Sequence, residues 1–131
     1  MTKEEVIITA AMWWTDKLRK RQPHDNGDNS RESAFANLFA DLLATPATEA
    51  QLNVFERALT VGIEEEYKKY LEDRTFPSIH IGCDYSPDNV LTVAAYKAGI
   101  SIHNFPYKTH MLISKNEVQV ADGYGTPYMP I

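Results

Sequence analysis

The sequence predicts an α+β fold in which three N-terminal helices precede a strand, a fourth helix and a C-terminal β-hairpin, with the strands forming a small sheet packed on helices. Apolar residues recur at helical spacing as far as Glu72. The spacing changes to alternation after Pro77. The last third, from Phe105 to Ile131, contains two alternating segments framed by aromatic loops that are rich in Pro and Gly.

The first helix is predicted from Lys3 to Arg21. Thr2 and Glu5 match a capping box at its start, and Pro23 stops it. One face carries the apolar residues Ile7, Ala11, Trp14 and Leu18, and Trp13 lies beside that face.

The second helix follows a loop at residues 24–30, whose Asn29 or Ser30 can cap it. Its apolar residues stand at i, i+3, i+4, i+7 and i+8, which predicts a face buried in the core. They are Phe35, Leu38, Phe39, Leu42 and Leu43.

The third helix is predicted to begin after Thr48, which forms a second capping box with Gln51, and to end near Glu72. Its predicted inward residues are Leu52, Phe55, Leu59, Ile63, Tyr67 and Leu71.

A strand at residues 77–83 is expected next, followed by a fourth helix capped by Ser86 and ended by Gly99. Residues 100–103 are expected to form a short strand. The hairpin pairs residues 109–114 with 117–121 around a turn at Lys115 and Asn116. One face then carries Met111, Ile113, Val118 and Val120, and the other carries His110, Leu112 and Gln119.

Bulk composition indicates one domain spanning residues 1–131, because this length suits a single core and the 44% hydrophobic content can fill it. A formal net charge of −5 argues against broad nucleic-acid binding. The single basic cluster, Lys17 to Arg21, is interpreted as helix C-terminal charge. A lone cysteine, the absence of a signal peptide after Met1 and the absence of a long apolar run favour a cytoplasmic protein with no membrane association.

Cys83 is the candidate nucleophile, at a strand end before a helix. A phosphatase loop would need Arg where Asn89 stands, and the spacing selects no partner among His80, His103 and His110. Because Cys83 alternates with Ile79 and Ile81, a buried apolar role is favoured. No catalytic residue is therefore assigned.

Metal and cofactor signals are also absent. His24, Asp25 and Asp28, or His80 with Asp84, could supply metal ligands, but turn chemistry explains the first group and no known motif is complete. Gly123 and Gly125 form a lone G-x-G with no following helix. We expect no metal and no cofactor.

The aromatic loops around the hairpin are the candidate binding surface. Rigid rings beside one cation suit contact with a protein, a base or a phosphate. The alternative is that the rings pack onto the helices. The residues are Phe105, Tyr107, Lys108, Tyr124 and Tyr128.

The chain resembles small proteins of unassigned function that tailed phages and prophages encode. The segments that carry the resemblance are WWTDKL from Trp13, DNGD at residues 25–28, DYSPDNVLTVAAYKAGI from Asp84, FPYKT and GYG. The resemblance implies an accessory role such as modulation of host or defence machinery, and it assigns no functional residue.

The leading expectation is a small cytoplasmic binding protein that contacts or inhibits a host macromolecule, most simply a protein. The alternative is a nucleotide-type ligand binder with Lys108 on phosphate and a tyrosine on the base. A hydrolase using Cys83 is third. The polar sheet face and open strand edges also leave room for a homo-oligomer.

Overall fold

A computed structural model describes residues 1–21, 31–73, 75 and 77–131, and it confirms the α+β class. The helices within these residues are α1 (Lys3–Arg19), α2 (Arg31–Leu43), α3 (Glu49–Glu72) and α4 (Asn89–Ala98). The strands are β1 (Ile79–Cys83), β2 (Thr109–Ile113), β3 (Val118–Asp122) and β4 (Met129–Pro130). A 3₁₀ turn, Ile102–Asn104, lies between α4 and β2.

Helix α1 begins at the predicted capping box, because the Thr2 side chain accepts from the Glu5 amide and Glu5 reaches back to Thr2. It ends at Arg19, two residues earlier than expected. Three of the four basic residues at its end pair with carboxylates: Lys17 with Asp122, Arg19 with Glu49 and Asp16, and Arg21 with Asp41. This agrees with a structural role for the cluster.

Helix α3 is the central helix and packs against both α1 and α4. Its capping box at Thr48 and Gln51 is confirmed. The predicted inward residues are buried as far as Tyr67. Leu71 was expected inside but is 36% exposed, because the last turn of α3 extends past the core.

The sheet is an antiparallel meander in the order β1-β2-β3-β4. The predicted hairpin register is confirmed, with Ile113 opposite Val118. The Tyr67 hydroxyl donates to the Lys115 carbonyl at 3.0 Å and so ties α3 to the hairpin turn. The short β4 was not predicted; it adds an edge strand to β3.

The inner face of the sheet closes the core against the helices. Ile81, Met111, Ile113 and Val118 are each at most 1% exposed and join side chains of α1, α3 and α4 in one apolar cluster. Since apolar surface removed from water contributes roughly 25 cal/mol per Å², this cluster is the main stabilising feature of the fold.

Helix α4 begins differently from the prediction. Asp88, and not Ser86, is its N-cap, and the Asp88 carboxylate accepts from the Gly82 amide at 2.8 Å instead of capping its own helix. Gly99 ends the helix in the left-handed conformation, as predicted, at φ 69°. The expected strand at residues 100–103 is wrong, since Ile102–Asn104 forms the 3₁₀ turn.

The prediction that the apolar stripe of α2 lies in the core is wrong. Its five large apolar side chains are between 46% and 74% exposed: Phe35, Leu38, Phe39, Leu42 and Leu43. The side of the helix that faces the body of the protein instead carries Ala40 and two polar residues, Asn37 and Asp41. The proposed caps of α2, Asn29 and Ser30, lie outside the described residues.

None of the helices within the described residues combines the length and the apolar character needed to cross a bilayer.

Candidate functional site

The five residues expected to form one binding surface do not all lie on the surface. Phe105 is 0% exposed and packs between Trp14 and Phe55, with ring centroids at 6.2 and 5.9 Å. It is therefore a core residue, and its inclusion in a contact surface is corrected. The cause is the 3₁₀ turn, which directs the following residue inward.

Tyr107 and Lys108 lie together beside the loop between β1 and α4. The Tyr107 ring meets Tyr85 edge-on at 5.3 Å. The Lys108 ammonium lies 4.7 Å from the centre of the Tyr85 ring and 3.4 Å from an Asp84 oxygen. Burial raises the pKa of the Tyr107 hydroxyl. Both residues are thus partly buried and already engaged within the protein.

Tyr124 and Tyr128 remain on the surface. They are 61% and 41% exposed and belong to the segment that joins β3 to β4. Two of the five predicted residues are therefore freely accessible rings.

A hydrogen-bonded histidine pair lies on the outer face of the sheet. His80 Nε2 is 2.9 Å from His110 Nδ1, and His110 Nε2 is 2.9 Å from Asp84 Oδ1. At the other end of the pair, His80 Nδ1 is 3.3 Å from Asp88 Oδ2. The two rings are stacked, with centroids 5.1 Å apart. We call this row of four side chains in contact, Asp88, His80, His110 and Asp84, the histidine relay.

Gly82 makes the histidine relay possible. It stands opposite His110 in the β1–β2 register, two residues after His80. A Cβ at Gly82 would lie 2.4 Å from His110 Nδ1 and 3.0 Å from the His80 ring. The missing side chain therefore leaves the space in which the two rings meet.

The Asp84 carboxylate contacts both His110 and Lys108. Burial raises its pKa, but hydrogen bonds from His110 and Lys108 and their charges lower it more, so that the pKa of Asp84 lies below its ordinary value. Asp84 also accepts the Lys108 amide through its main-chain carbonyl at 2.9 Å. That bond holds Lys108 at φ 53°, a left-handed conformation that non-glycine residues rarely adopt.

A groove of about 450 Å³ opens beside His80, between the end of α3 and the start of β1. Its described lining includes Glu66, Lys69, Tyr70 and Asp73. His80 also lines this groove, and its Nδ1 lies 3.3 Å from Asp88 Oδ2.

Cys83 is buried, as favoured from the sequence. It is 1% exposed, and burial together with the nearby Asp84 and Asp88 raises the pKa of its thiol to about 12. A thiol in that state is protonated at neutral pH and is a poor nucleophile. This argues against a hydrolase based on Cys83.

We expect Cys83 in the folded protein to react with a thiol reagent at least about 100-fold more slowly at pH 7.5 than in urea, because labelling requires opening of the core. The rate is followed by absorbance with a chromogenic disulfide. An exposed cysteine introduced by Asn116→Cys serves as a control for reagent access. Rapid native labelling of Cys83 at a rate close to that control would contradict the burial argument.

The described residues contain no group of three or more His, Cys, Asp or Glu side chains placed to hold a metal ion. His24, Asp25 and Asp28, the other metal candidates considered from the sequence, lie outside the described residues.

The apolar face of α2 is the second unusual surface, and we define it as Phe35, Leu38, Phe39, Leu42 and Leu43. The rings of Phe35 and Phe39 stack at 6.4 Å and so form a continuous aromatic ridge. On the opposite side of the helix, Asp41 pairs with Arg21 at 2.9 Å. The ion pair holds the polar side of α2 against the body and leaves the apolar face toward solvent.

No protein-family model matches this sequence, and no curated protein matches it, so the chain's own residues carry the inference of its function.

Proposed function

We propose that this chain is a small cytoplasmic binding protein that docks on another macromolecule through the apolar face of α2. The observation that carries the proposal is the reversed orientation of this helix. An amphipathic helix normally buries its apolar side, and here that side is exposed while Asn37 and Asp41 face the body.

The size of the apolar face supports a protein partner. Its five side chains expose roughly 500 Å² of apolar surface, which is near the upper end for the largest patch on an ordinary monomer. An interface that covers it would bury on the order of 1,000 Å² in total, which is the threshold for specific association. Phe and Leu at helical spacing are also the anchors of helix-in-groove recognition.

The partner that the sequence resemblance favours is a host protein, and contact with host or defence machinery is part of the proposal. The exposed rings of Tyr124 and Tyr128 are further candidate contacts. A nucleotide ligand at Lys108 is not favoured, because its ammonium is already paired with Asp84 and lies over the Tyr85 ring.

The experiment compares two double variants that add the same charge to exposed apolar residues. Leu38→Glu with Leu42→Glu alters the apolar face, whereas Val54→Glu with Val61→Glu alters exposed positions on α3, which are 40% and 50% exposed. Captured proteins from a bacterial lysate are quantified by mass spectrometry after crosslinking. We expect the α2 variant to capture at least about 10-fold less of the specific partner than the parent, because burying charges in a desolvated contact is costly. The α3 variant should capture as much as the parent.

Thermal midpoints and sedimentation of the purified proteins complete the test. Both variants should melt within a few degrees of the parent, because the substituted side chains are exposed. A parent dimer that only the α2 variant dissociates would identify a second copy as the occupant. If the α2 variant captures the same proteins as the parent and sediments as the parent does, docking through this face is refuted.

A further inference from the structure

We propose that His80 and His110 form a one-proton pH sensor that links the N-terminus of α4 to the sheet. Asp84 is ionised at neutral pH, since its pKa lies below the ordinary value, and a carboxylate only accepts hydrogen bonds. His110 Nε2 must therefore carry a proton and donate it to Asp84.

The remaining protons follow in order. When His110 is neutral, its Nδ1 is an acceptor, so His80 Nε2 must be the donor across the 2.9 Å contact. Each ring then holds one proton, and both hydrogen bonds are made. The lone pair that is left belongs to His80 Nδ1, and it faces Asp88 Oδ2 at 3.3 Å.

A third proton has one favourable position. Without this proton, the lone pair of His80 Nδ1 and the Asp88 carboxylate repel each other. With the proton on Nδ1, His80 and Asp88 form an ion pair. A fourth proton would place N–H groups on both sides of the contact between the rings and break it. The pair can thus accept one additional proton while both of its bonds remain.

The surrounding charges favour the same stoichiometry. Asp84, Asp88 and Lys108 leave one excess negative charge at the relay, and a single added proton neutralises it. The charged or titratable groups that face His80 from α3 line the neighbouring groove: Glu66, Lys69, Tyr70 and Asp73. Lys69 and Glu66 pair with each other at 3.3 Å, and so partly cancel.

The added proton reaches the main chain through Asp88. The Asp88 carboxylate accepts from the Gly82 amide, and the Asp88 amide donates to the Gly82 carbonyl, each at 2.8 Å. An ion pair from His80 to Asp88 therefore adds a third connection between β1 and the first turn of α4. This connection exists only while His80 holds the added proton, so its formation depends on pH.

The test is to count protons at the ring nitrogens of the full chain by long-range ¹H–¹⁵N NMR from pH 8.5 to 5.5. We expect His80 and His110 together to take up one proton, with Nδ1 of His80 protonated at the end. The amides of Gly82 and Asp88 should shift with the same midpoint, because they share the Asp88 carboxylate. Uptake of two independent protons by the pair over this range would overturn the proposal.

Two variants and a control test the mechanism. His80→Gln keeps an amide that can donate to His110 but cannot accept a third proton, so His110 should keep its proton on Nε2 alone across the range. Gly82→Ala should push the rings apart, so that each takes up its own proton, two in all. His103→Gln, on the 3₁₀ turn, should leave the pair unchanged.

The same spectra separate loss of the relay from loss of the fold, because the methyl signals of Ile113 and Val118 report the buried face of the sheet. Protonation of His110 Nδ1 in folded His80→Gln between pH 8.5 and 5.5 would contradict the coupling. So would uptake of a single proton by folded Gly82→Ala.

Discussion

Phe105→Ala is expected to destabilise the protein by roughly 3–5 kcal/mol, the range for truncating a buried aromatic ring, and to lower the thermal midpoint by about 10–20 °C. The side chain is 0% exposed and contacts both Trp14 of α1 and Phe55 of α3, so its removal leaves a cavity where two helices meet. Urea denaturation followed by circular dichroism measures the free energy of unfolding.

Tyr124→Ala is the matched control for Phe105→Ala. It removes a ring from the other aromatic loop, but that ring is 61% exposed, so the change should stay within about 0.5 kcal/mol. Equal destabilisation by the two substitutions would show that the two loops do not differ as the structure describes.

Trp14→Ala is expected to cost roughly 3–5 kcal/mol of unfolding free energy, whereas Trp14→Phe should cost less than half as much. Trp14 is 0% exposed, and its Nε1–H has no hydrogen-bond acceptor in the structure. Phenylalanine keeps most of the packed ring and removes that unsatisfied donor, which offsets part of the lost contact. Urea denaturation again provides the measurement.

The neighbouring tryptophan provides the control. Trp13 packs edge-on against Trp14 with centroids 5.1 Å apart but is only partly buried. Trp13→Ala should therefore destabilise clearly less than Trp14→Ala. A Trp14→Phe variant as unstable as Trp14→Ala would contradict the gain expected from removing the unsatisfied donor.

The elements of the fold that follow from local chemistry could be predicted from the sequence. The capping boxes at Thr2 and Thr48 depend on residues three positions apart, and the hairpin register depends on a two-residue turn. The α4 cap was predicted at Ser86 because local spacing favours it. In the structure the N-cap is Asp88, whose carboxylate accepts a hydrogen bond from the amide of Gly82, six residues earlier in the chain. That donor lies beyond the few residues on which a local capping pattern depends.

The histidine relay could be predicted only in part. Alternation places His80 and Gly82 on one face of β1, and the hairpin places His110 on the outer face of β2. Their contact depends on the register between these two strands, which α4 separates in the chain. The sequence signal for this contact was a histidine followed two residues later by a glycine on the polar face of β1, which leaves room for a second ring.

The error at Phe105 has the same origin as the error at α2. A side chain's type and its spacing show which face is apolar, but not whether the rest of the chain covers that face. Phe105 follows a 3₁₀ turn that directs it into the core, whereas Phe35 and Leu42 lie on a helix whose polar side is held by the Arg21–Asp41 ion pair.

The exposed side of α2 also has a consequence for the energy landscape of the chain. Helices α1, α3 and α4 and the sheet supply most of the apolar core cluster, whereas Ala40 of α2 is buried outside that cluster and the other apolar side chains described on this helix are exposed. The apolar face of α2 favours burial, but the native structure leaves it exposed. In contrast, the apolar faces of α1, α3 and α4 are buried, so α2 is a locally frustrated region. A frustrated element of this kind can open as a separate cooperative unit, with amide exchange faster than that of α3, without requiring the remainder of the protein to unfold.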